Sequence, residues 1–295
     1  MWIQKFRILI ISLFIISCSQ SKGDTESIQE ENTIKSSVNI TILLDLSDRI
    51  IRDINSSQQI RDIAIVNEFV RYIKKNMEDQ GAFNAKDKFQ IIFNPLPEDP
   101  NVNAISRDLS IDLEDLEPKE KKIIYDSIGD TFESNLKSIY ESTLKTKNWI
   151  GSDVWRFFKN DIKDLVISDN EDYRNILVVV TDGYLYHSDS ARREGNKTSY
   201  VTNTYLKNIG IYEKADWREY LNDNEFGLLP IEDSYEDLEV LFLEINPIQS
   251  YLVDEDITRW FIGNWLEEMG ITNFRIYNTD VTTNTAKRIA RFMKN

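Results

Sequence analysis

Apolar side chains fall along this chain in two kinds of run. Val38-Asn39-Ile40-Thr41-Ile42-Leu43-Leu44 and Ile176-Leu177-Val178-Val179-Val180 are almost continuously apolar and rich in β-branched residues. Such runs predict strands covered on both faces, as in a parallel sheet sandwiched between helices. Both stop abruptly at polar clusters, Asp45-Leu46-Ser47-Asp48-Arg49 in the first case and Thr181-Asp182-Gly183 in the second. The other kind of run has helical spacing: Ile60, Ile63, Ala64, Val66, Val70, Ile73 and Met77 predict a helix from about Ser57 to Glu78, broken at Gly81.

The remaining elements alternate in the same way. Lys88 to Phe93 reads as a strand that Pro95, Pro97 and Pro100 end, and Asp108 to Leu113 as a short edge strand. Helices are predicted from Pro118 to about Ser127 and from Thr131 to Lys147, the second with Phe132, Leu136, Ile139, Tyr140 and Leu144 on one face. Gly151-Ser152-Asp153 can turn the chain and cap a following helix. A strand over Glu239 to Ile245, a helix over Ile257 to Met269, a strand over Phe274 to Tyr277 and a helix over Thr282 to Lys294 complete the chain. This order predicts an α/β fold with a doubly wound, mostly parallel sheet whose site lies at the carboxyl ends of the strands.

Two stretches exceed the connections that such a fold needs, at about 95–118 and at 184–238. The second is about 55 residues long and leaves the sheet from the expected site end, so it should overhang the site. Its aromatic residues include Tyr184, Tyr186, Tyr200, Tyr205, Tyr212, Trp217 and Tyr220, a density that suits a packed subdomain or a partner-binding surface.

The N-terminus has another logic. Lys5 and Arg7 precede the apolar run Ile8 to Ile16, too short to span a bilayer and suited to a signal-peptide core over residues 1–17. Ile15-Ile16-Ser17-Cys18 resembles the bacterial lipobox, which implies cleavage before Cys18 and diacylation of its thiol. Cys18 is the only cysteine, so no disulfide competes for it. Residues 18–37 then form a polar tether, and 38–295 the folded domain. The expected location is the bacterial cell envelope, on a membrane by a lipid anchor, facing the periplasm or in the outer membrane.

Composition narrows the partners. With 41% hydrophobic and 11% aromatic residues the chain can fill a core, which excludes a disordered protein. The formal charge of -15, about -17 after loss of Lys5 and Arg7, offers no basic excess to displace phosphate counterions and argues against nucleic acid. Enzyme signatures are scarce. No Walker loop, dinucleotide turn or nucleophile elbow is present, and His187 is the sole histidine, which excludes a histidine-built metal cluster.

Asp45-Leu46-Ser47-Asp48-Arg49, Gly151-Ser152-Asp153 and Thr181-Asp182-Gly183 together are similar, in order and strand context, to the three loops of the von Willebrand factor type A domain. Its metal-ion-dependent adhesion site uses Asp-x-Ser-x-Ser, a loop Thr and an Asp commonly followed by Gly. The resemblance implies that Asp45, Ser47, Ser152 and Asp182 hold magnesium or manganese, through which a protein partner binds with an acidic side chain. A hard cation suits such oxygen donors. Arg49 departs from the pattern, because it stands where the second Ser would be and a guanidinium has no lone pair to offer. Either Asp48 replaces that ligand, or Arg49 pairs with Asp45 or Asp182 and takes the cation's place. A lipid-anchored, non-enzymatic binding protein is the expected function. The alternatives are a metal-dependent hydrolase or phosphoryl-transfer enzyme using Asp45 and Asp182, and a structural envelope component with a vestigial site.

Overall fold

The computed structural model describes residues 37–51, 58–97, 99–146, 151–247 and 251–294. The chain divides into Met1–Lys35 and Ser36–Asn295, and every element below belongs to the second unit. The signal peptide, Cys18 and nearly all of the tether lie outside the described residues. Among the described residues no helix is long and apolar enough to cross a membrane.

The elements run β1 (Ser37–Leu44), α1 (Gln58–Gln80), β2 (Lys88–Ile92), α2 (Pro100–Ser106), β3 (Ser110–Asp112) and α3 (Pro118–Thr146). They continue with β4 (Gly151–Ser152), α4 (Val154–Asn160), α5 (Ile162–Leu165), β5 (Tyr173–Val180), β6 (Tyr186–His187), β7 (Arg193–Glu194) and β8 (Lys197–Thr198). The remainder is α6 (Asn203–Asn208), α7 (Trp217–Asp223), β9 (Gly227–Leu228), β10 (Leu238–Ile245), α8 (Asp254–Glu268), β11 (Phe274–Asn278) and α9 (Thr282–Phe292).

Six strands form the central sheet in the order β11-β10-β5-β1-β2-β3, parallel except for the antiparallel edge strand β3. Strand residues alternate between faces. Ile40, Ile42, Leu44, Ile176, Val178 and Val180 pack with α1, α3 and α9, while Leu43, Leu177, Val179 and Phe242 pack with α4, α8 and the long insertion. This two-sided burial accounts for the continuous apolar runs, and the fold is α/β and doubly wound as expected. From β1 the chain proceeds outward to β2 and β3, then returns to β5 and proceeds the other way. The order therefore reverses between β1 and β5, and ligands of open α/β sheets gather outside the carboxyl ends at such a point.

The structure corrects two local expectations. The two helices expected around residues 118–147 are one, α3, because Ile128, Phe132, Leu136, Ile139 and Tyr140 keep one buried face through Gly129. A single interior glycine costs only about 1 kcal/mol, which this packing outweighs. The insertion does not overhang the site as a whole. Its first strand, β6, pairs with β4, but its body folds back along the flank of the sheet, where Lys197 meets Glu268 and Tyr205 packs on Phe261. Here the Leu229 carbonyl accepts the indole N–H groups of both Trp155 on α4 and Trp265 on α8, at 2.9 and 3.0 Å. Most of the insertion's aromatics thus serve packing. His187 is buried in β6.

Candidate functional site

Asp45 is the first residue beyond β1, whose last residue, Leu44, is in register with Val180 at the end of β5. Its backbone N–H continues the ladder to the Val180 carbonyl at 3.0 Å. The side chain then turns back on the chain: Oδ1 accepts the Ser47 N–H at 2.7 Å, and Oδ2 accepts the Thr181 hydroxyl at 2.8 Å. The last contact ties the two strand ends across the switch point. Asp182 Oδ1 accepts the Tyr184 N–H at 2.9 Å, and its carbonyl accepts the Asn246 N–H just past β10, also at 2.9 Å. Gly183 follows at φ +93°, and a Cβ there would lie 2.6 Å from Thr258 Cγ2 on α8, so only glycine fits the turn.

Ser152 reaches the same end of the sheet by a different route. It is buried in β4, opposite Tyr186 of β6, and the next residue, Asp153, donates its N–H to the Asn94 carbonyl beyond β2 at 3.3 Å. Asp153 caps α4 through the Arg156 N–H, as the sequence suggested for this turn. Hydrogen bonds thus join Asp45, Ser47 and Thr181, with Asp182 next in the chain, while Ser152 is brought to the same end by its backbone ladder.

Arg49 takes neither of the roles foreseen for it in full. Its side chain is 2% exposed, and its Nε donates to the Asp45 carbonyl at 2.7 Å while lying 3.8 Å from Asp45 Oδ2. The guanidinium is gripped instead by Asp62 on α1, at 2.7 and 3.4 Å, a two-point contact that matches its planar fork. Burial alone would lower the Arg49 pKa, but the Asp62 carboxylate, with Tyr140 and Asp45, outweighs it and raises it. Asp62 also accepts the Tyr140 hydroxyl from α3 and Gln58 Nε2 at 3.0 Å. Burial, then the nearby Asp62 charge, pushes the Tyr140 phenol well above its ordinary range. Gln58 bridges onward to Glu244 at 3.2 Å, which Arg61 binds at 2.8 Å. Glu244 sits at φ +68° in β10, held out of the strand's alternation by these α1 partners. Asp48 is exposed beside this buried network.

A hard cation fits the donors present. Asp45 and Asp182 supply carboxylates and Ser47 and Ser152 hydroxyls, a set suited to magnesium or manganese and not to a soft metal. In the adjoining network the Asp62 and Glu244 carboxylates are matched by the guanidiniums of Arg49 and Arg61. Among the described residues no group of three or more His, Cys, Asp and Glu could hold a metal, so hydroxyls would have to complete the shell.

No protein-family model matches the chain, and no curated protein matches it. Among solved structures, the pilus adhesin SpaC from Lactobacillus rhamnosus GG in its open conformation is similar at 10% identity and a TM-score of 0.41, over 88% of this chain and 30% of the adhesin. A second structure of the same adhesin gives 10% identity and a TM-score of 0.39, over 86% and 30%. The chain spans less than a third of the adhesin's length.

Several of the residues that shape the site escape a reading of motifs alone. Asp62 and Arg61 lie among the core-facing positions of α1, and Glu244 is the one acid in the run Val240 to Ile245. A charged residue inside an apolar stripe is the signal that could have found them, since such groups are rarely buried unless paired. His187 Nδ1 lies 3.3 Å from Asp153 Oδ2 and from the Asp189 backbone nitrogen, and among the described residues Nε2 is buried without a hydrogen-bond partner. Ser190 donates to Asp153 Oδ1 at 2.7 Å. The serine thus binds the acid and not the imidazole, so the three do not form a nucleophilic triad.

Proposed function

We propose that this protein is a lipid-anchored, non-enzymatic binding protein of the bacterial cell envelope with a von Willebrand type A-like domain. A divalent cation held by Asp45, Ser47, Ser152 and Asp182 receives an acidic side chain of a protein partner. The observation that carries this reading is the engagement of Arg49 with Asp62. The residue that stands in place of a ligand hydroxyl is buried and its charge is matched from α1, so it cannot itself present positive charge to a partner. The positive centre needed to attract a carboxylate must then come from an ion on the neighbouring oxygens. The resident ion would supply a charge and open coordination positions; the chain's own residues orient Asp45 through Ser47 and Thr181 and fix Asp182 through Tyr184.

Thermal unfolding tests the metal. At magnesium or manganese a hundredfold above its dissociation constant, stabilisation should reach about 2.7 kcal/mol, which for a domain of this size is about 5–10 °C. Asp45→Ala with Asp182→Ala should abolish the shift. No shift with any divalent ion refutes the cation and leaves Arg49 and Asp62 as the site's own ion pair. For the anchor, intact-mass measurement of membrane-extracted protein should show a diacylglycerol adduct that Cys18→Ala lacks, and a parent mass without the adduct refutes it.

A further inference from the structure

Beside β6 the insertion opens a cavity of about 900 Å³, with Tyr186, Tyr200, Tyr205 and Tyr220 on its walls and Arg192 and Arg193 at its edge. We propose that this groove is a second binding surface, independent of the sheet-end site, and that its occupant is an acidic segment of a partner protein. Charge complementarity selects that occupant. The chain carries a formal charge of -15, yet this lining has two arginines and no Asp or Glu. An acidic segment is repelled by most of the surface and accepted here, which confers register as well as attraction.

The groove is also built in advance of any ligand. Arg192 lies over the Trp155 ring, its guanidinium 4.5 Å from the ring centroid, and its Nε lies 3.8 Å from the exposed Glu194. Arg193 is fixed by the Gly195 carbonyl at 2.7 Å and by Asn196 Oδ1 at 3.0 Å, which leaves three of its five N–H donors for a carboxylate. Tyr186, Tyr200 and Tyr205 form an edge-to-face series with centroids 5.9 and 5.6 Å apart. Tyr205 and Tyr220 commit their hydroxyls to the Asn196 and Ile209 carbonyls and so act as rigid walls, while Tyr186 is 46% exposed. Tyrosine and arginine dominate the residues that carry protein–protein affinity, and rigid rings lose little entropy on contact. Tyr186, at one part of the groove's lining, stands opposite Ser152 in the β4–β6 pair.

The test is fluorescence anisotropy of a fluorescein-labelled ten-residue peptide of alternating glutamate and leucine, titrated with the full chain in detergent. Its counterpart with lysine in place of glutamate and an oligogalacturonate serve as the other probes. Saturable binding of the glutamate peptide is expected, weakened tenfold or more by Arg192→Ala with Arg193→Ala and at least threefold by Tyr186→Ala. All three side chains are surface-exposed, so an unchanged circular dichroism spectrum separates lost binding from lost fold. Asp45→Ala with Asp182→Ala should leave the affinity unchanged, which keeps this outcome apart from that of the cation site. The proposal is overturned if the arginine variant binds equally well, if the lysine peptide binds as tightly, if the sheet-end variant abolishes binding, or if the oligogalacturonate binds more tightly than the peptide.

Discussion

Replacing Arg49 by Met tests whether Arg49 and Asp62 act as one buried pair. The substitution keeps an unbranched side chain but removes the two contacts to Asp62 and the one to the Asp45 carbonyl. Asp62 is fully buried and, among the described residues, would keep the donors Tyr140 and Gln58. Removing one member of a buried ion pair costs about 3–5 kcal/mol, because the other is left uncompensated. The two surviving donors place the expected loss at the low end, about 3 kcal/mol. Asp62→Leu should cost more, about 5 kcal/mol, because it strands the guanidinium and also leaves the buried Tyr140 hydroxyl and Gln58 amide short of an acceptor. The double variant keeps those two unpaired groups, about 1–3 kcal/mol for each, but has no stranded charge. It should therefore lose about 3 kcal/mol, well short of the sum of the single losses. With a urea m-value of about 3 kcal/mol/M, Arg49→Met shifts the unfolding midpoint down by about 1 M. Additive losses, or an Arg49→Met midpoint within about 0.3 M of the parent at equal slope, would refute the reasoning.

Two further perturbations probe other parts of the frame. Burial raises the Asp87 pKa above the usual carboxylate range, although the Val38 N–H at 2.9 Å opposes the shift. A raised folded value means that its contribution is fully present below the unfolded pKa of about 3.9 and is lost as pH rises through the folded value. Asp87→Asn should thus gain melting temperature relative to the parent between pH 4 and pH 7, and parallel curves would contradict this. Gly183→Ala combines a left-handed backbone with the 2.6 Å approach to Thr258 Cγ2 and should cost about 2–4 kcal/mol by chemical denaturation. Thr258→Ser removes that methyl and should recover part of the loss; no recovery would place the whole cost in the backbone.

The strand ends were legible in the sequence because a strand buried on both faces leaves an unbroken apolar run, and Asp45 and Asp182 stand where two such runs stop. Alternating strands and helices carried the fold class for the same reason. What escaped is tertiary. Nothing local announces that Asp62 will meet Arg49, since the pair joins the turn after β1 to a helix that passes over it. The sequence suggested two helices at 118–127 and 131–147, but a helix end depends on whether the buried stripe resumes in phase, and here it does. The density of aromatics at 184–238 was plain, yet its division between packing and groove depends on the return of the insertion along α8. Ser152 was placed by analogy of loop order, and its ladder with β6 depends on a strand in that same insertion.

The shared carbonyl of Leu229 has a mechanical consequence. It takes one indole from α4, which begins right after Ser152-Asp153, and one from α8, whose Thr258 lies against Gly183. Tension applied to the insertion is therefore divided between α4, which begins at the Ser152 turn, and α8, which lies against Gly183. Sliding the insertion along the flank strains both indole contacts together, so the joint yields as a unit instead of peeling one bond at a time. A pull on the Leu229 segment would reach both helices together.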